Sequence, residues 1–151
     1  MKQKKTADYI FVSIQILLFI GYWWHPEPVG PILPNIWRYI GIPLALSGIF
    51  LVMTAFLQLN RNLTMLPTPT KNATLITTGV FKYMRHPIYT GIFFIALGYA
   101  MMEHNFDQLM IALMILLLFE IKSKYEEKKL TEHFPEYPVY SAKTNKFFPF
   151  I

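Results

Sequence analysis

Four apolar stretches set apart by polar breaks constrain this chain more than any other feature. They run over residues 7–24, 36–59, 87–102 and 106–121. The first is interrupted by Asp8, Ser13 and Gln15, the second carries Arg38 near its start, and the fourth has Asp107 and Gln108 near its start. A hydrocarbon core takes roughly 20 helical residues to cross. The first two stretches meet that length outright. The last two are short, and the Glu103-His104-Asn105 break between them leaves room only for a tight hairpin. They read as a transmembrane hairpin in a locally thinned bilayer. The expected fold class is therefore all-α: one polytopic membrane domain over 1–151 with about four transmembrane helices.

Composition and charge placement agree. The chain is 54% hydrophobic and 15% charged, against about a quarter charged in soluble domains. On a four-pass arrangement, 13 of the 14 basic residues fall on one side, in the N-terminal stub, the segment 60–86 and the segment 122–151. Arg38 alone falls on the other. This is a positive-inside pattern with both termini cytoplasmic. Tyr22, Trp23 and Trp24 end the first stretch, and Trp37 and Tyr39 begin the second, as an interfacial aromatic belt would. Although the net charge is +5, no soluble basic face exists to serve nucleic acid, so none is expected as a partner. The first stretch ends in Tyr-Trp-Trp-His-Pro with no small-residue cleavage site, so it reads as a retained helix and not a signal peptide. There is no cysteine, hence no disulfide, thiolate metal site or cysteine nucleophile.

Two cytoplasmic segments are unusual. Residues 60–86 are long for a connection, and they alternate apolar anchors with polar residues, as a segment lying on the membrane surface would. Residues 122–151 continue the fourth helix and end in Phe147-Phe148-Pro149-Phe150-Ile151, too apolar to remain in water. The tail is expected to fold back, so that both segments cap one end of the bundle and create a cytoplasmic pocket. Within the apolar stretches, Gly41, Ala45 and Gly48 share one helical face, as do Gly91 and Gly98. Small residues on one face allow close helix packing. Gly91 also permits close approach of a ligand.

The chemistry-bearing signal is Gly79-Val80-Phe81-Lys82-Tyr83-Met84-Arg85-His86-Pro87-Ile88-Tyr89-Thr90-Gly91. Pro87 suits the first position of the third helix. The helix start beside Arg85 and His86 then offers free N–H groups and partial positive charge to a carboxylate. Taken alone, an Arg-His pair at a membrane boundary also reads as a topology anchor. His25, His104 and His133 read as solvent-facing or structural. No zinc spacing or phosphate loop is present, and no metal is expected.

This motif, together with Glu126-Glu127-Lys128-Lys129-Leu130 and Phe134-Pro135-Glu136-Tyr137-Pro138-Val139-Tyr140, resembles the two signature blocks of the isoprenylcysteine carboxyl methyltransferases and their phospholipid-methyltransferase-like relatives. The resemblance covers residues 60–151 and points to a short bacterial-type member, hence to a bacterial inner membrane. It implies S-adenosyl-L-methionine as cofactor, held in a cytoplasmic pocket made by the last hairpin and the C-terminal segment. It also implies a lipid-like acceptor, either a carboxylate or an amine. Carried over residue by residue, the expected cofactor contacts are Tyr83, His86, Tyr89, Gly91, Glu126, Glu127, Tyr137 and Tyr140. Arg85 and Glu127 are the catalytic candidates. Arg85 is a candidate to orient the methionine carboxylate, the hairpin or an acidic substrate group.

Glu126 and Glu127 point about 100° apart on a helix, so both line one pocket only if they straddle it. Pro135 stands where the family usually has glycine, and Pro138 separates the two tyrosines. A continuous helix over 134–140 is therefore not expected. The alternatives are an NADPH-dependent membrane reductase of the sterol-reductase type, which shares an Arg-His-x-x-Tyr signature, and a non-catalytic membrane scaffold of the same fold. Against the reductase, Ile88 and Ile92 replace its usual Asn and acidic residue.

Overall fold

The computed structural model of the chain describes residues 2–24, 30–59, 68 and 74–149. The regular structure of these residues is helical: α1 (Lys2–Trp23), α2 (Ile36–Leu59), a 3-10 turn over Gly79–Lys82, α3 (Pro87–Met102), α4 (Phe106–His133) and α5 (Tyr137–Ser141). Residues 25–29, with His25 among them, residues 60–67 and 69–73 of the segment 60–86, and residues 150–151 lie outside the described residues.

Thr6–Trp23 and Ile36–Leu59 are long and apolar enough to cross a membrane. α3 is apolar but has 16 residues, about 24 Å at 1.5 Å per residue, short of a ~30 Å core. α4 is apolar only in its first half and runs on to His133 as one helix. Length and composition thus support two spans where four were expected. The outer faces still carry large apolar side chains, such as Leu17, Leu46, Leu57 and Leu117, all more than half exposed. An apolar exterior of this extent suits lipid as solvent.

α2 and α3 form the most extensive helix pair, and the glycine stripes explain it. A Cβ on Gly41 would lie 2.5 Å from the Gly98 carbonyl oxygen, and one on Gly48 would lie 2.6 Å from that of Gly91. The reciprocal approaches from Gly98 and Gly91 are 2.6 and 2.7 Å. Pairing 41 with 98 and 48 with 91 makes the helices antiparallel, backbone against backbone. The packing stripe read from the sequence is therefore real, and it includes Gly91.

The α3–α4 hairpin turns at His104, whose φ is +54°. The Asn105 side chain caps α4 by accepting from the Gln108 N–H at 3.0 Å. His104 Nδ1 donates to the Leu33 carbonyl at 3.1 Å, and the Leu33 N–H returns to the His104 carbonyl at 3.2 Å. His104 is thus structural. At the opposite end, Gly79 takes φ +60°, and the Gln58 side chain accepts from the Val80 N–H at 3.0 Å. That contact ties the end of α2 to the start of the motif.

α4 ends at His133, and α5 starts anew at Tyr137 after the Pro135 turn, as the two prolines led us to expect. The tail then folds back along the motif. Met84 and Asn145 form a parallel bridge. The N–H groups of Arg85 and His86 donate to the carbonyls of Asn145 and Lys146 at 2.9 and 3.0 Å. Phe147 joins Tyr22, Ala96, Ala112, Ile115 and Phe119 in the buried core. The aromatic ending thereby leaves water, which is the physical reason for the return.

Candidate functional site

Pro87 opens α3, where its missing N–H breaks no helical bond; His86 stands as N-cap, with Arg85 just before it. Tyr89 lies in the first turn of α3. From the far half of α4 come Glu126 and Glu127. Arg85 Nε donates to Glu127 Oε1 at 2.8 Å, and His86 Nε2 reaches the same oxygen at 3.1 Å. The other imidazole nitrogen, Nδ1, lies 3.8 Å from Glu126 Oε2, which accepts from the Tyr89 hydroxyl at 2.8 Å. The two adjacent glutamates therefore straddle one imidazole, and neither is a bland surface residue.

Arg85 does more than pair with Glu127. Its Nη1 donates to the Ser141 carbonyl at 2.8 Å and to the Thr144 carbonyl. A guanidinium at the end of α5 satisfies carbonyls that the helix leaves open. Of the three roles open for Arg85 in the sequence, the one visible here is fastening the hairpin to the tail. Thr90, inside the motif but overlooked as a contributor, adds a hydrogen bond from its hydroxyl to the Phe147 carbonyl at 2.8 Å.

Electrostatics follow from this wiring. Burial pushes the Glu127 carboxyl up, but hydrogen bonds from His86 and Arg85 outweigh it and hold the group at about 2. The Tyr137 hydroxyl is buried without a partner among the described residues. Burial, and then the nearby Glu127 charge, raise it well above the ordinary phenol range. Burial also lifts Tyr140 to about 12; its hydroxyl donates to the Phe81 carbonyl at 2.6 Å. The Tyr137 and Tyr140 rings meet edge to face at 5.8 Å.

The aromatic side is equally ordered. The Tyr89 ring lies parallel to His86, 5.3 Å between centres, and stacks on Phe119 at 4.5 Å. Lys122 Nζ stands 5.3 Å from the same ring centre. Neither Phe119 nor Lys122 was singled out in the sequence. Lys122 looks there like one more basic residue beyond an apolar run.

The structure brings Arg85, His86, Tyr89, Glu126 and Glu127 together in one bonded cluster, with Tyr137 and Tyr140 beside it. Two other residues of the motif stand apart from this cluster. Tyr83 is 59% exposed. Gly91 is buried against Gly48 and Val52 of α2. Gly91 follows Tyr89 by two residues, or about 200° around the helix, and so faces away from the glutamates. Close helix packing accounts for it.

Residues 37–137 match the family model described as phospholipid methyltransferase. That span holds α2, α3, α4 and every member of the Arg85–Glu127 cluster, and omits α1. Protein-S-isoprenylcysteine O-methyltransferase of Schizosaccharomyces pombe is 35% identical over 83 residues, 54% of this chain and 35% of that protein. Cobalt-zinc-cadmium resistance protein CzcN of Cupriavidus metallidurans is 35% identical over 80 residues, 52% of this chain and 37% of its own length. The chain thus spans little more than a third of the curated relatives it matches. The fold resembles that of the eukaryotic intramembrane Ras methyltransferase ICMT, with a TM-score of 0.70 and 22% identity, over 99% of this chain and 52% of that one. The family model takes in two thirds of the sequence and the complete side-chain cluster, and on that ground the chain belongs to the phospholipid methyltransferase family.

Proposed function

We propose that this chain is a single-domain, multi-pass membrane methyltransferase that moves a methyl group from S-adenosyl-L-methionine to a lipophilic acceptor at the cytoplasmic interface. One observation carries the reading. Two adjacent α4 glutamates are held over the start of α3 by Arg85, His86 and Tyr89, and all of these lie inside the family-matched span.

The residues fit the cofactor's chemistry. It presents an ammonium, a carboxylate, ribose hydroxyls and a sulfonium. The cluster offers two carboxylates to the cationic and hydroxyl groups and a guanidinium to the carboxylate. Tyr137 adds a buried hydroxyl in need of a partner. When bound, the cofactor supplies a methyl group already activated by its sulfonium. The protein's share is alignment and exclusion of water. His86 holds the two glutamates at a fixed separation. Arg85 locks the tail over them, and the Tyr89–Phe119 stack walls the site with apolar surface. A carboxylate acceptor needs no base, whereas an amine must arrive neutral. The apolar outer faces favour an acceptor that enters from the bilayer. The basic asymmetry supports four spans with both termini on the cytoplasmic side, α3 and α4 crossing as a short hairpin.

Purified protein should gain thermal stability from S-adenosylhomocysteine and none from NADPH. His86→Ala and the double variant Glu126→Ala/Glu127→Ala should abolish that gain while remaining folded in detergent. Stabilisation by NADPH instead, or by neither molecule, would overturn the proposal in favour of a reductase or a scaffold. With the cofactor established, lipid analysis using a labelled methyl donor, in cells with and without the protein, identifies the acceptor.

A further inference from the structure

α1 lies outside the family-matched span, yet it meets α4 along a seam that is polar where it nears the site. Asp8 and Gln15 are seven residues apart on α1, and Lys122 and Lys129 are seven apart on α4. Two turns of helix place such pairs on one face. Lys129 Nζ lies 3.8 Å from Asp8 Oδ1 and donates to Thr68 Oγ1 at 2.8 Å. Lys122 Nζ donates to Gln15 Oε1 at 2.7 Å. Both lysines and Asp8 are buried. Between the two pairs, Phe11 and Tyr125 meet ring to ring at 5.4 Å.

The two lysines differ in what they touch besides α1. Lys129 Nζ stands 4.7 Å from the centre of the Tyr125 ring. Lys122 Nζ faces the Tyr89 ring, whose hydroxyl bonds Glu126. A cation near an aromatic ring is attracted to it, and Gln15 holds this cation in place.

We propose that Gln15 and Lys122 are positioning residues of the methyltransferase site: α1, through Lys122, fixes the Tyr89 ring so that its hydroxyl stays on Glu126. The chain of contact is Gln15 to Lys122 to Tyr89 to Glu126, each link an observed side-chain interaction. α1 is then part of the site's support and more than a membrane anchor. This inference rests on the proposed function, and the test separates the two.

Affinity for S-adenosylhomocysteine is measured by calorimetry in detergent on the full chain, beside the melting temperature. Lys122→Met should weaken binding about tenfold, between the exposed and the fully desolvated strength of a cation–aromatic contact, and Lys122→Arg should restore it to within about threefold. Gln15→Leu should weaken it in the same direction. Asp8→Asn, whose carboxylate faces Lys129 and reaches Lys122 only through space, should lower the melting temperature and cost less affinity than Gln15→Leu. In a Tyr89→Phe background, which already lacks the hydroxyl, Lys122→Met should cost no further affinity. Wild-type affinity in both Lys122→Met and Gln15→Leu overturns the inference. So does an equal loss in Asp8→Asn, which would make the seam merely structural. Should Lys122→Met fail to fold, Gln15→Leu, which leaves the cation present, decides alone. A wild-type protein that does not bind S-adenosylhomocysteine refutes the proposed function itself, a result distinct from any of these.

Discussion

Where α2 meets α3, backbone lies against backbone; where α1 meets α4, buried charged and amide side chains reach across. In the first seam, Gly41, Gly48, Gly91 and Gly98 leave no room for a methyl group. In the second, Lys122 donates a hydrogen bond to Gln15, and Lys129 faces Asp8 as an ion contact. The contrast matches their positions. The α2–α3 seam lies in the most apolar part of the chain, where close van der Waals packing is the attraction left to helices in lipid. The polar part of the α1–α4 seam lies beside the site, where α4 has already left its apolar stretch. One seam is specified by volume and is indifferent to pH. The other is specified by pairing, and an unmatched partner is its weakness.

The comparison can be broken most forcefully at Gly48. A Cβ there would stand 2.6 Å from a backbone oxygen that cannot rotate away. Gly48→Ala should destabilise the protein by about 3 kcal/mol, read as a fall in melting temperature that is the same at every pH. A neutral outcome would mean that the two helices separate easily and that the glycine stripe does not hold them.

A similar loss, but with a strong pH signature, is expected at Glu127, where α3 and α4 meet through charge. Its carboxyl sits at about 2 in the folded protein against an ordinary 4.5. A depressed carboxyl stabilises the fold above its unfolded value and loses that stabilisation as pH falls through the folded one. The contribution is on the order of 3 kcal/mol above pH ~4.5, fading towards pH ~2. Glu127→Gln should therefore melt well below wild type at neutral pH, and the two curves should converge on acidification. Parallel curves across that range would show that the Arg85 and His86 contacts do not hold this carboxylate.

The smallest of the three effects belongs to the polar seam. Asp8→Asn keeps the shape but removes the charge facing Lys129, which retains Thr68. A loss of about 1–2 kcal/mol is expected, less than for an ion pair left with no partner. A loss as large as that of Gly48→Ala would mean that charge, and not volume, dominates both seams.

Much of this was legible in the sequence, for reasons that are local. Apolar runs and the breaks between them are properties of neighbouring residues, and they yielded all four long helices. The structure extended the fourth to His133, because nothing in Lys122–Leu130 breaks a helix. The two prolines foretold the break before α5, and the apolar ending foretold the return of the tail. The two motif blocks named Arg85, His86, Tyr89, Glu126 and Glu127, and these side chains meet in the fold. Gly91 and Tyr83 came with the motif and stand outside the bonded cluster. Lys122 was missed because a lysine past an apolar run has the same appearance whether it faces water or a ring.

The sequence by itself determined that this chain is helical, suits a membrane and carries its polar chemistry at the two edges of a hairpin. Those are matters of hydropathy and spacing along one strand of chain. Only the tertiary structure decided that both glutamates face one imidazole, that Gly91 turns to α2, that Arg85 fastens the tail, and that Gln15 meets Lys122. Each depends on how helices rotate and slide against one another. A rotation of one residue turns a side chain by about 100°, and no local pattern records that choice.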